Sequence, residues 1–300
     1  MSTAALIPPE VRARLKALRL RVRAVPAGQG LGQHASRNRG AGLEFAQYRG
    51  YEPGDEPRRI DWKLYARSDR YFVRDATRDS PLTVWLLIDT SASMTQFDAA
   101  RPEYRKLDAA KALAACVAEL ALQQGDGFGF VSVGGNSLTG VPVASGVRHR
   151  DRLHFALAAL NAAGPMPSDT VLRGLWERIP PDALVVVLSD GFDDALTAAA
   201  ERLALARREV ISIQIISAEE RDFPYTGGYL FRDPETGAER RIEGEAARAD
   251  FIARFAAARA ALARRYAACG IRHVEYMLDE PLDRPLQRLF GARGLEAAAP

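Results

Sequence analysis

Two apolar runs, each closing on a carboxylate, constrain this chain more than any other feature. Leu82–Asp89 (LTVWLLID) and Ala183–Asp190 (ALVVVLSD) are rich in β-branched and aromatic residues. Both fall far short of the roughly 20 apolar residues that span a bilayer. Their apolar positions are continuous rather than alternating, the pattern of strands covered on both faces. Further strand patterns occur at Gly127–Gly134, Gly140–Ser145, Val210–Ser217 and His273–Leu278. Helical spacing occupies Tyr104–Gln124, Arg148–Ala162, Val171–Ile179, Ala195–Arg208, Ala246–Cys269 and Leu282–Phe290. Strands that alternate with helices predict an α/β fold: a mostly parallel central sheet with helices on both faces. The turn at Gly134-Gly135-Asn136 predicts a hairpin, and so one antiparallel strand at the sheet edge. Arg221–Gly244 breaks the alternation with Asp233-Pro234 and Thr236-Gly237, and reads as a surface hairpin or flap.

Composition bounds the class. The 300 residues are 47% hydrophobic and 26% charged, which is ordinary for a folded protein and excludes disorder or fibrous repeats. Two cysteines, Cys116 and Cys269, exclude a disulfide framework and are expected to be buried thiols. The N-terminal stretch has no apolar core followed by a cleavage site, and no run is long enough to be a transmembrane segment, so the expected location is cytoplasmic. Net charge is +3, unevenly spread: residues through Ser80 carry 16 Lys and Arg against 9 Asp and Glu, leaving −4 for the rest. That asymmetry divides the chain into an N-terminal basic and aromatic region, 1–80, and an α/β domain, 81–300, with an insertion near 219–245.

The chemistry-bearing residues fall at strand ends. The first strand runs into Asp89-Thr90-Ser91-Ala92-Ser93, and the later one into Ser189-Asp190-Gly191. Pro167-Ser168-Asp169-Thr170 lies just before a helix. In open parallel sheets, ligands collect beyond the carboxyl ends of strands at the topological switch point. Carboxylate and hydroxyl oxygens are hard donors suited to Mg²⁺, with Mn²⁺ or Ca²⁺ as alternatives. Asp89, Ser91, Ser93 and Asp190 are the candidate metal residues, with either Thr170 or Ser168 as the third hydroxyl. A metal held mostly by neutral hydroxyls stays electropositive and suits a carboxylate from a partner protein.

This D-x-S-x-S pattern, with the Ser/Thr loop and Asp190, resembles the metal-ion-dependent adhesion site (MIDAS) of von Willebrand factor type A (vWA) domains. Upstream, Glu44-Phe45-x-x-Tyr48-Arg49-x-Tyr51-x-Pro53-Gly54-Asp55 is followed by Arg58-Arg59-Ile60-Asp61-Trp62-Lys63-x-x-Ala66-Arg67. That string resembles the signature of the domain of unknown function 58 (DUF58) family, over roughly residues 30–290. The resemblance implies a Rossmann-like vWA fold, a Mg²⁺-type site, and association with a MoxR-type AAA+ ATPase or a protein client that offers an acidic side chain.

The N-terminal region holds a basic amphipathic helix at Pro9–Arg23, a glycine-rich loop at Ala24–Gly42 and an aromatic platform at Leu43–Ser80. Arg58, Arg59 and Arg67 are placed to pair with Asp55, Asp61 and Asp69, as a structural apron or a partner-binding surface. No G-x-S-x-G, Walker A, H-E-x-x-H or D-x-D-x-T motif is present. The reading is therefore a non-enzymatic, metal-dependent interaction module. A metal-dependent hydrolase using Asp89 and Asp190 is the alternative, as is nucleic-acid binding through the N-terminal arginines; no nucleic-acid partner is expected.

Overall fold

A computed structural model describes residues 6–20, 45–51, 60–76, 81–135 and 137–291. The chain forms two compact units: 1–24 together with 82–300, and 25–81.

In the smaller unit, β1 (Phe45–Gly50) pairs antiparallel with β2 (Phe72–Ala76), and α2 (Trp62–Ser68) lies between them in sequence. Asp61 starts α2 by accepting from the backbone N–H groups of Lys63 and Leu64, the expected task of an N-cap carboxylate. Asp69 ends the helix in the left-handed conformation (φ 54°). Tyr65 and Tyr71 stack at 4.5 Å, with Trp62 edge-on to both. The glycine-rich loop and Asp55, Arg58 and Arg59 of the proposed apron lie outside the described residues.

The larger unit contains the predicted sheet. Its strands are β3 (Thr83–Asp89), β4 (Gly127–Gly134), β5 (Ser137–Ala144), β6 (Leu184–Ser189), β7 (Glu209–Ile216) and β10 (Arg272–Met277). Their spatial order is β10-β7-β6-β3-β4-β5, and every pairing is parallel except β4 with β5 at the edge. The period of two along a strand sends alternate side chains of β3 to opposite faces. Val84, Leu86 and Ile88 join a core with α3 (Lys106–Gln124), α4 (Val147–Ala158) and α10 (Arg284–Phe290). Trp85 and Leu87 join a second core with α6 (Gly174–Arg178), α7 (Asp194–Leu205) and α9 (Gly244–Ala268). Helices thus cover both faces. The many alanines of α3 let it be buried almost all round. The insertion consists of α8 (Ala218–Asp222) and an antiparallel hairpin, β8 (Gly228–Arg232) with β9 (Glu239–Glu243), as its turn signals imply.

Four expectations need correction. The N-terminal helix α1 spans only Pro9–Leu15, and it belongs with the larger unit rather than with residues 25–81. Val11 and Leu15 enter the first core. The chain then extends, because Leu20 exchanges backbone hydrogen bonds with the Gln124 amide at the end of α3 (2.6 and 3.0 Å). A continuing helix would have used those backbone groups itself. The helix predicted at Val171–Ile179 is split into α5 (Asp169–Leu172) and α6, with Arg173 between them. The edge strand begins at Ser137 rather than Gly140, since it pairs with β4 back to Gly134. Cys116 is buried but Cys269 is only half buried. Among the described residues, no helix is long and apolar enough to cross a membrane.

Candidate metal centre at the switch point of the sheet

After β3 the chain crosses to β4 on one side, and later returns to β6 on the other. The switch point therefore lies between β3 and β6, at the ends that carry Asp89 and Asp190. The backbone beyond β3 is held in place. Thr90 N–H donates to Val133 O at 2.8 Å, Ala163 N–H to Thr90 O at 3.0 Å, and Ala92 N–H to Gly164 O at 2.8 Å. A short 3₁₀ turn, Ala92–Thr95, follows.

Within this frame Asp89 is fully buried and saturated with donors. Its Oδ1 accepts from the Ser91 backbone N–H (2.9 Å) and the Ser91 hydroxyl (2.6 Å), and its Oδ2 from the Ser189 hydroxyl (2.6 Å). Ser91 Oγ lies 3.0 Å from Ser93 Oγ. Asp190 is also buried. Its Oδ1 accepts from the Phe192 N–H at 3.3 Å, and its backbone carbonyl accepts from Gln214 Nε2 at 2.8 Å. Gly191 turns the chain here with φ 78°; a Cβ at this position would stand 2.8 Å from Leu262. Burial, and then the Asp190 charge, push the Asp89 carboxyl up to about 7 against the opposing hydrogen bonds from Ser189 and Ser91.

A third charged group is Lys106, at the first position of α3 and fully buried. Its ammonium donates to Gln96 Oε1 at 2.7 Å and Glu220 Oε1 at 2.6 Å, and stands 3.5 Å from Asp190 Oδ2. One ammonium thus serves a neighbourhood with three carboxylates, Asp89, Asp190 and Glu220. The side chains that meet Asp89, those of Ser91 and Ser189, offer oxygens, and the carboxylates outnumber the one ammonium. That set fits a hard divalent cation, which Ser91 and Ser93 would hold with Asp89 and Asp190 behind them. Among the described residues no group of three or more His, Cys, Asp or Glu is arranged to hold a metal, so any such site depends on the serine hydroxyls.

Of the predicted residues, the structure joins Asp89, Ser91, Ser93 and Asp190. Ser168 and Thr170 are exposed at the start of α5, and the Ser168 side chain makes no capping hydrogen bond. The loop before them is tied to the cluster through the Ala163 and Gly164 backbone, while Asp169 between them pairs with Arg202 at 2.6 Å. Sequence reasoning passed over Ser189 and Lys106 as site residues. Ser189 had a signal in its place beside Asp190. Lys106 had one too, as one of only four lysines among 41 basic residues, at the start of an alanine-rich helix.

The model of the family described as "Protein of unknown function DUF58" matches residues 47–261. The chain belongs to the DUF58 family. A relative in Mycobacterium tuberculosis, "Uncharacterized protein Rv1480", is 32% identical over 295 residues, covering 97% of this chain and 92% of that protein. Among solved structures, this DUF58 chain is similar to BatB from Bacteroides thetaiotaomicron, at 14% identity and a TM-score of 0.38 over 63% of this chain and 98% of that one. It is also similar to the SpRpn10 VWA domain, at 15% identity and a TM-score of 0.40 over 69% and 94%.

Proposed function

We propose that this DUF58 protein is a non-enzymatic, metal-dependent protein-interaction module. The observation that carries the reading is the convergence of Asp89 and Asp190 on adjacent parallel strand ends, with Ser91, Ser93 and Ser189 gathered on them. When bound, a Mg²⁺-type cation supplies an electropositive point at which an acidic side chain of a partner can dock. The chain's own residues do the rest. Ser91 and Ser93 offer neutral oxygens, Asp89 orients Ser91 through two hydrogen bonds, and Ser189 holds the other oxygen of Asp89. Thr170 or Ser168 is the third hydroxyl, on the adjacent loop.

The resemblance of the D-x-S-x-S site and of the upstream signature extends the proposal to a partner: a MoxR-type AAA+ ATPase, or a client that it remodels. Affinity capture from the source cell tests this, using wild type and Asp89→Ala, each with Mg²⁺ and with EDTA. A MoxR-type ATPase retained only by wild type with Mg²⁺ supports the proposal. Retention unchanged across all four conditions sinks it.

A further inference from the structure

Pro142 lies within β5, and a proline, with no N–H to give the ladder, is tolerated in a sheet only at an edge or a bulge. Here it has both. Phe128 pairs with Ala144 but Phe130 with Val141, so β5 carries one extra residue opposite Gly129. The bulge requires that glycine: a Cβ on Gly129 would stand 2.7 Å from Val141 O and 2.8 Å from Val143 N. On its other side Gly129 pairs with Trp85 of β3, so the bulged edge lies one strand away from that indole.

Beside the bulge is a cavity of about 330 Å³. Trp85, Phe130, Val131 and Val141 form its buried floor, and Pro142 and Arg178 its exposed rim. Two of these residues carry donors with no acceptor. Trp85 is 7% exposed, and its indole N–H has no hydrogen-bond partner. A buried indole N–H ordinarily finds one, because leaving water without a new partner is unfavourable. Arg178 is the last residue of α6, and the backbone there is held: Arg208 donates to Ile179 O from Nη2 at 2.7 Å and from Nε at 3.2 Å. The Arg178 guanidinium itself makes no hydrogen bond or ion pair among the described residues.

Ligand sites are mostly apolar cavities of roughly 300–1,000 Å³ in which a few polar groups fix orientation. This cavity is at the small end of that range, and both of its unpartnered groups are donors, one of them a cation. The complement is an apolar body that ends in an anionic acceptor. We propose that the cavity binds a small apolar carboxylate, whose hydrocarbon body lies against Phe130, Val141 and Pro142. Its carboxylate accepts from the Trp85 indole N–H, with the unpaired Arg178 guanidinium as counter-charge. None of these residues belongs to the metal centre, so the proposal stands apart from the reading above.

The test uses the ¹⁵N-labelled full chain in EDTA, with octanoate as the probe and octylammonium as the same chain of opposite charge. Nuclear magnetic resonance follows the Trp85 indole N–H, assigned by its loss in Trp85→Phe. Octanoate is expected to shift that resonance saturably, and octylammonium to leave it in place. Arg178→Gln, a change at an exposed position, should weaken octanoate binding about tenfold, the scale of one lost charge-assisted hydrogen bond. No shift with octanoate overturns the proposal. An equal shift with octylammonium, or unchanged affinity in Arg178→Gln, overturns it too, since the cavity would then be filled by any apolar chain.

Discussion

The Lys106 ammonium stands 3.5 Å from Asp190 Oδ2, and neither side chain is more than 2% exposed. A cation from the chain itself is therefore built into the wall of the candidate metal centre, shared between Asp190 and Glu220. Removing one member of a buried ion pair leaves the others uncompensated, which costs about 3 kcal/mol or more. Lys106→Met is expected to lower stability on that scale in chemical denaturation. Added Mg²⁺ should recover more of the loss in the variant than it adds to wild type. Unchanged stability would show that the lysine neutralises nothing that matters to the fold.

Asp89 predicts a pH effect in metal-free protein. An unfolded aspartate titrates near 4, whereas burial and Asp190 push this one up to about 7. Below the unfolded value both states are protonated and there is no penalty. Between the two values the folded state holds the extra proton, so stability falls as pH rises, and the full penalty persists above the folded value. Asp89→Asn removes that penalty. In EDTA it is expected to be more stable than wild type at pH 8 by on the order of 2 kcal/mol, or about 6 °C in Tm. At pH 4 the difference should be small. Thermal melts at the two pH values measure it, and an equal shift at both would refute the assignment.

The N-terminal helix is anchored by one carboxylate. Arg14 Nε and Nη2 donate to the two oxygens of Asp283 at 2.6 and 2.7 Å, and Gln287 Nε2 adds a third donor at 2.6 Å. The Arg14 guanidinium holds the Asp283 carboxyl below its usual range. A carboxyl depressed in the fold stabilises above its unfolded value and loses that contribution as pH falls through the folded one. Asp283→Ala is therefore expected to speed amide exchange in residues 9–15 at pH 7 while β3 exchange stays unchanged. In wild type, the same opening should appear only on acidification below about 4.

Gly134, at the end of β4, tests the frame around the site. A Cβ here would stand 2.5 Å from Thr90 Oγ1 and 2.6 Å from Thr90 O, in the loop between Asp89 and Ser91. Gly134→Ala is expected to cost about 2 kcal/mol through overpacking. It should also weaken Mn²⁺ binding, because Thr90 must move. Calorimetric unfolding and a Mn²⁺ titration give the two readouts, and an unperturbed titration would separate β4 from the site.

Much of the fold was legible because its signals are local. Continuous apolar runs identify strands buried on both faces, Gly134-Gly135 marks the edge hairpin, and Asp233-Pro234 with Thr236-Gly237 marks the flap turn. Asp89, Ser91, Ser93 and Asp190 were legible for the same reason, since each follows directly from a strand end. The short α1 was not. What stops it is the pairing of Leu20 with Gln124, a contact across 104 residues that no local pattern announces. Asp61 was legible as charged, but its place as the cap of α2, accepting from two backbone N–H groups, was not.

By itself the sequence determined the order of strands and helices, and the oxygen donors that end β3 and β6, because periodicity and residue chemistry are properties of neighbouring residues. Only the tertiary structure decided which distant groups share the site: Ser189 on Asp89, and Lys106 between Asp190 and Glu220. The reason is physical. Which charges face one another follows from how the crossovers and the insertion return the chain over the strand ends, and burial then decides what each charge costs.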